Sequence, residues 1–190
     1  GRHPEFNLTL MPGLVKNHEH ALRLNESEFM DRIEEILNEA GIVTLVKGWL
    51  AGGFAAREGC IVRPEDIRGL QTRAAGQAFE EMLVGAGAAI SSTPSSEVYS
   101  AMQTGVLDAL NTSSASFVSF RLYELVACFT PPGDHALWFM YQPLLLSQRT
   151  WEGLTEEQQA ALREAAAKAE AYYAEEAARQ DAEAISVFEE

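Results

Sequence analysis

Cysteine is scarce in this 190-residue chain: Cys60 and Cys128 are the only two. Two cysteines make no disulfide framework. They pair in an oxidising compartment or stand as two buried thiols, and the sequence leaves both open. Basic residues are also few, 14 Lys and Arg against 28 Asp and Glu, for a formal net charge of −14. That deficit excludes nucleic acid, whose phosphates need clustered cations, and argues against an anionic membrane surface. It leaves room for a small anion, because one buried arginine sets a local field against the global sign. No run of 18 apolar residues exists, so no segment reads as a membrane-spanning helix. Nor does the chain open on a basic stretch followed by an apolar one, as an export signal does.

The apolar share of 47% with 22% charged residues is that of a globular domain with a real core. Half of the acidic excess falls in residues 155–190, which read as a solvated helix face.

Residues 1–24 mix Pro, Gly and His and read as loop and turn. "ESEFMDRIEEILNEAG" spaces Phe29, Ile33, Ile36 and Leu37 on one helical face, with Gly41 as the stop. "IVTLVKGWLAGGF" reads as one strand. A turn and a short strand over Leu70–Ala74 follow, then a helix in "QAFEEMLVGAG" and a strand in "AAISST". "SSEVYSAMQTG" is a helix, with Ser95 as its cap and Gly105 past its end. "VLDALN" is a strand, "SFVSFRLYELV" a helix, and "HALWFMYQPLLLSQ" one long apolar strand. From Thr155, with Gln158 completing a capping box, one helix of about 34 residues spans roughly 50 Å. Strands that alternate with helices predict an α/β fold with a mainly parallel sheet. The last helix exceeds such a unit and must cross between lobes, meet a partner or project.

Catalytic and metal patterns are wanting. "GAGAAI" follows a helix and precedes a strand, the reverse of a phosphate-cradling loop. His18 and His20 have no cysteine or further histidine at zinc-site spacing. His135 reads as a structural or lining residue. The serines lie outside any G-x-S-x-G, and Glu80–Glu81 and Glu156–Glu157 are adjacent pairs that point apart on their helices. No cofactor or metal is indicated. Arg73 stands out: it ends the strand "LQTRAAG", where ligands gather in open α/β sheets. Its guanidinium offers a rigid fork that matches a carboxylate, against the plainer role of a surface ion pair.

"EDIRGLQTR", then "SSEVYSAMQTGVLDA", then "TWEGLTEEQQAALREAAAKAEAYYA" resemble, in order, three blocks of the solute-binding proteins of tripartite ATP-independent periplasmic (TRAP) transporters. The resemblance covers about residues 1–185. It implies a periplasmic-binding-protein-like fold of two lobes with mixed, mainly parallel sheets and a long lobe-spanning helix, the first lobe being incomplete. Residues 1–50 and 139–178 fall in lobe I, 51–138 in lobe II, and 179–190 in the end of the helix returning toward lobe II. The implied activity is capture of an organic acid between the lobes, by hinge closure, and its delivery to TRAP permease subunits from the periplasm. No chemistry is implied.

By the same resemblance Arg73 grips the ligand carboxylate. Asn111 and Thr112 take the places where members carry Glu–Asn or Glu–Trp contacts. Ser95 replaces an aromatic wall, and a second arginine of some members falls near Gly53, with Arg57 as its substitute. Trp138 and Phe139 follow the loop "PPGDHAL" and either line the cleft or pack in the core of the crossing strand. A homodimer through the long helix is a further implied association. A small α/β enzyme domain acting on a carboxylate, and an interaction protein using its acidic helix, are the alternatives.

Overall fold

The computed structural model describes residues 4–189. The loop reading of residues 1–3 and the helical reading of 190 lie outside them. Residues 4–24 are more regular than expected. Pro4–Leu10 form a 3-10 turn, and α1 spans His18–Asn25, its first turn capped by the Asn17 side chain, which accepts from His20 N at 2.8 Å. The loop expectation fails here because short polar helices carry no long apolar period; the capping Asn17 was the available signal.

α2 is Glu28–Glu39, capped by Ser27, and buries Met30, Ile33, Ile36 and Leu37. The next apolar run divides into β1 (Ile42–Val46) and β2 (Trp49–Ala56). The break at Lys47–Gly48 has a cause. A Cβ on Gly48 would come within 2.8 Å of both the Gln142 carbonyl and the Tyr173 ring. The Lys47 N–H, released from the ladder, donates to Glu170 Oε2 at 2.8 Å.

β3 (Gln71–Arg73), α3 (Gln77–Gly85) and β4 (Ala89–Ser91) follow as the sequence predicts. So do α4 (Val98–Gln103) and, shifted along the chain by two or three residues, β5 (Ala109–Ser113). The helix expected over 116–126 is instead the short α5 (Ser114–Ser119), ended where Arg121 takes a left-handed φ of +53°, and a separate 3-10 turn, Leu122–Glu124. β6 (Cys128–Thr130) has no counterpart in the sequence reading, being three residues long. The expected single strand over 135–148 is β7 (Trp138–Tyr141) and β8 (Leu144–Ser147), interrupted at Pro143, which has no N–H to give a ladder. α6 (Gln148–Glu152) is short. α7 runs from Glu156 to Glu189, 34 residues, opened by the expected box: Thr155 N donates to Gln158 Oε1 at 2.9 Å and Gln158 N to Thr155 Oγ1 at 3.2 Å.

The sheets are mixed, as expected, but not mainly parallel. β3 pairs parallel with β4 and β5, whereas β2 pairs antiparallel with β5, β6 and β7, and β1 antiparallel with β8. Only the strands joined through α3 and α4 are parallel; β2 and β7 run in opposite senses within the six-stranded sheet, whose path is β4-β3-β5-β2-β6 with β7 beside β2, and each leads at one end to the separate β1–β8 pair. β2 carries the molecule's middle. It pairs with β7 through Trp49–Gly52 and with β6 through Phe54–Ala56. At the changeover Gly52 and Gly53 lie so close to their neighbours that a Cβ would stand 1.9 Å from the Thr112 carbonyl and 2.0 Å from the Thr130 carbonyl.

The two sheet faces have separate cores. Phe54, Ala56, Phe79, Leu83 and Trp138 pack under α3. Ala55, Met102, Leu110, Phe117 and Leu122 pack under α4 and α5, closed by Phe188 of α7, whose ring stacks on Phe129 at 4.5 Å. Cys60 and Cys128 are joined in a disulfide, which resolves the open pairing.

Candidate functional site

β4, β3 and β5 are neighbouring parallel strands, so their carboxyl ends share one edge of the sheet. Arg73 is the last residue of β3. Its guanidinium is held three ways, by acceptors from β5 and from the segment that follows β4. Nε donates to the Thr93 carbonyl at 3.1 Å, Nη1 to the Asn111 carbonyl at 3.0 Å, and Nη2 to the Ser95 hydroxyl at 2.9 Å. Every acceptor is neutral. Among the described residues no carboxylate lies within ion-pair reach of Arg73, although the chain is strongly acidic. Arg73 is 9% exposed, and burial pulls its pKa below the usual arginine value. A largely buried, unneutralised cation is costly unless something compensates it.

Asn111 and Thr112 do not share a role. Adjacent residues of a strand face opposite ways. Arg73 is paired in register with Leu110, so Thr112 lies on the Arg73 face and Asn111 on the other. Asn111 is fully buried; its Oδ1 accepts the Ala75 N–H at 2.7 Å and thereby fixes the bend that follows Arg73. That bend leads into Gly76, at φ +107°, and the first turn of α3.

Ser95 is not the helix cap the sequence suggests. It opens a 3-10 turn, Ser95–Glu97, ahead of α4, makes no capping bond, and turns its hydroxyl to Arg73 instead. The structure thus brings the Ser95 hydroxyl and the Asn111 carbonyl onto Arg73, with Thr112 on the same face of the sheet. It does not add Trp138 as an open wall. The indole is 1% exposed, lies against Gly52, and packs beside Phe79 at a ring distance of 6.0 Å. Phe139 is likewise buried, edge-on to His18. Period-two alternation on a crossing strand buried on both faces puts both aromatics in a core.

The place of a second arginine is closed as well. Gly53 is paired with Thr112, where the Thr130 carbonyl leaves no room for a side chain. Arg57 is not its substitute: it follows β2 at the opposite end of β5, its N–H on the Asp108 carbonyl and its guanidinium against Gly105. Sequence reasoning missed Thr93, which contributes only its carbonyl. The one signal for it was Pro94, which favours an extended residue before it.

Other candidates lie elsewhere. His18 Nε2 and Asp181 Oδ2 are 2.6 Å apart, joining α1 to α7, and His20 Nδ1 accepts from Lys16 N. His135 borders an apolar cavity of about 480 Å³ beside Phe54, Ile67, Met82, Leu83 and Leu137, which includes neither Arg73 nor its partners.

A solute-binding protein of Albidiferax ferrireducens is 39% identical over 189 residues, covering all of this chain and 56% of the relative. One from Sulfitobacter sp. is 28% identical over 181 residues, 54% of its length. The crystal structure of a TRAP periplasmic solute-binding protein from Rhodoferax ferrireducens with bound malonate superposes with a TM-score of 0.94 at 39% identity, over all of this chain and 60% of that one. A Sulfitobacter structure with bound β-D-galacturonate gives 0.88 at 24% identity, covering 97% of this chain and 61% of that one, which speaks to the fold alone. The chain therefore spans a little over half the length of these relatives. The family model described as bacterial extracellular solute-binding protein, family 7 (DctP) matches residues 1–190, and the chain belongs to that family.

Proposed function

We propose that this chain forms the ligand-gripping part of an extracytoplasmic solute-binding protein that captures an organic acid and delivers it to a TRAP-type permease. The observation that carries the reading is the state of Arg73: buried, held by three neutral acceptors and, among the described residues, without a carboxylate partner. An external carboxylate supplies the missing charge, and a charge-assisted pair of this kind contributes about 1.5–3 kcal/mol. The malonate bound by the 39%-identical Rhodoferax ferrireducens protein supports a small carboxylate as ligand. The Cys60–Cys128 disulfide suits an oxidising compartment such as the periplasm.

In this reading residues 1–50 and 139–178 belong to lobe I, 51–138 to lobe II and 179–190 to the helix end returning to lobe II. Ligand is enclosed as the lobes close about β2 and β7. The test is titration calorimetry against acetate, malonate, succinate, pyroglutamate and galacturonate. Binding of at least one, lost in Arg73→Ala, is expected. Binding of none, or binding that survives Arg73→Ala unchanged, overturns the reading.

A further inference from the structure

Arg73 has five N–H groups: one on Nε and two on each terminal nitrogen. The single Nε hydrogen is committed to the Thr93 carbonyl, one on Nη1 to the Asn111 carbonyl, and one on Nη2 to the Ser95 hydroxyl. Among the described residues, two N–H groups remain without an acceptor, one on each terminal nitrogen. The fork formed by Nε and Nη2 is closed. A carboxylate that takes two hydrogen bonds from this guanidinium must therefore meet it end-on, across Nη1 and Nη2.

Two of the three restraints are backbone carbonyls, which any sequence supplies. The third is a side chain. Ser95 follows Pro94, held at ψ 146°, and begins the 3-10 turn whose next residue but two, Val98, is buried in the core under α4. The turn is thus anchored, and its first hydroxyl is aimed at Nη2 rather than spent on capping. Remove it and Nη2 keeps two unmatched N–H groups on a long side chain held at two points only.

We propose that Ser95 is a positioning residue for ligand capture: its hydroxyl fixes Nη2 and so the plane in which Arg73 presents its two remaining N–H groups. The proposal rests on the carboxylate reading above, and the experiment separates the two. Malonate is titrated calorimetrically into the full chain and its Ser95 and Arg73 variants, with thermal stability measured alongside. Ser95→Ala weakens binding about tenfold, as the loss of one orienting contact does, while the melting temperature moves little. Ser95→Thr, which keeps the hydroxyl, restores the affinity relative to Ser95→Ala. Ser95→Asp sets a carboxylate against the guanidinium, weakens binding by more than about 100-fold and raises the melting temperature. A Ser95→Ala protein that melts lower but binds as wild type shows a merely structural serine and overturns the proposal; Arg73→Ala binding as wild type overturns the carboxylate reading itself. A ligand-free readout stands beside these. The Arg73 Nη hydrogens, followed by nitrogen–proton NMR, exchange slowly in the native chain and faster in Ser95→Ala. Unchanged exchange overturns the proposal whether or not malonate binds.

Discussion

The side-chain carbonyl of Asn111 accepts the backbone N–H of Ala75 at 2.7 Å, from the opposite face of the sheet to Arg73. β5 thus holds β3 twice at its end, through the Asn111 carbonyl on Nη1 and through the Asn111 side chain on the bend beyond. Asn111→Ala leaves the Ala75 N–H buried and unmatched, and costs about 1–3 kcal/mol of folding stability by urea denaturation. Ligand affinity falls with it. An Asn111→Ala chain as stable as wild type shows that this bond does not hold the bend.

Gly52 and Gly53 are the second weak point. A methyl group at either must push aside a backbone carbonyl, of Thr112 or of Thr130, not a flexible side chain. Gly52→Ala and Gly53→Ala each destabilise by at least about 1–3 kcal/mol, the range of overpacked cores. Circular dichroism melts check this. A near-native melting temperature for either contradicts the close approach.

The Cys60–Cys128 disulfide joins the segment just after β2 to the start of β6, across 68 residues of chain. Its reduction, or a Cys60→Ser/Cys128→Ser double variant, lowers stability by about 2–4 kcal/mol through a freer unfolded chain. Equal melting curves with and without reductant contradict this.

Burial against Gly48 pushes the Tyr173 hydroxyl up to about 12. A raised folded value favours the neutral form, so its contribution to stability is complete below the unfolded value near 10 and is lost as pH rises toward 12. Ultraviolet titration finds a tyrosinate absent in Tyr173→Phe that forms late in this window. Appearance of that signal near pH 10 contradicts the burial.

Much of this was legible in the sequence. α2, α3 and the long α7 announced themselves by apolar period, by the stop at Gly41 and by the Thr155–Gln158 box. Arg73 was legible because its place at a strand end is a local fact. What was hidden depended on distant neighbours. The break at Gly48 follows from Tyr173 and Gln142, more than 90 residues away. Ser95 looked like a cap because its local pattern fits one; only Arg73, 22 positions earlier, shows where its hydroxyl goes. Trp138 sat beside a loop in sequence yet belongs to the core through Phe79. The antiparallel crossing of β2 and β7 had no signal in spacing, because apolar runs carry no direction.

The central claim is that Arg73 is a cation kept unpaired for a ligand's carboxylate. Titration calorimetry of malonate into wild type and Arg73→Ala tests it most directly. The account predicts measurable binding to wild type and a loss of at least about 10–100-fold in the variant, the equivalent of one charge-assisted pair. Equal malonate affinity in the two proteins would contradict it.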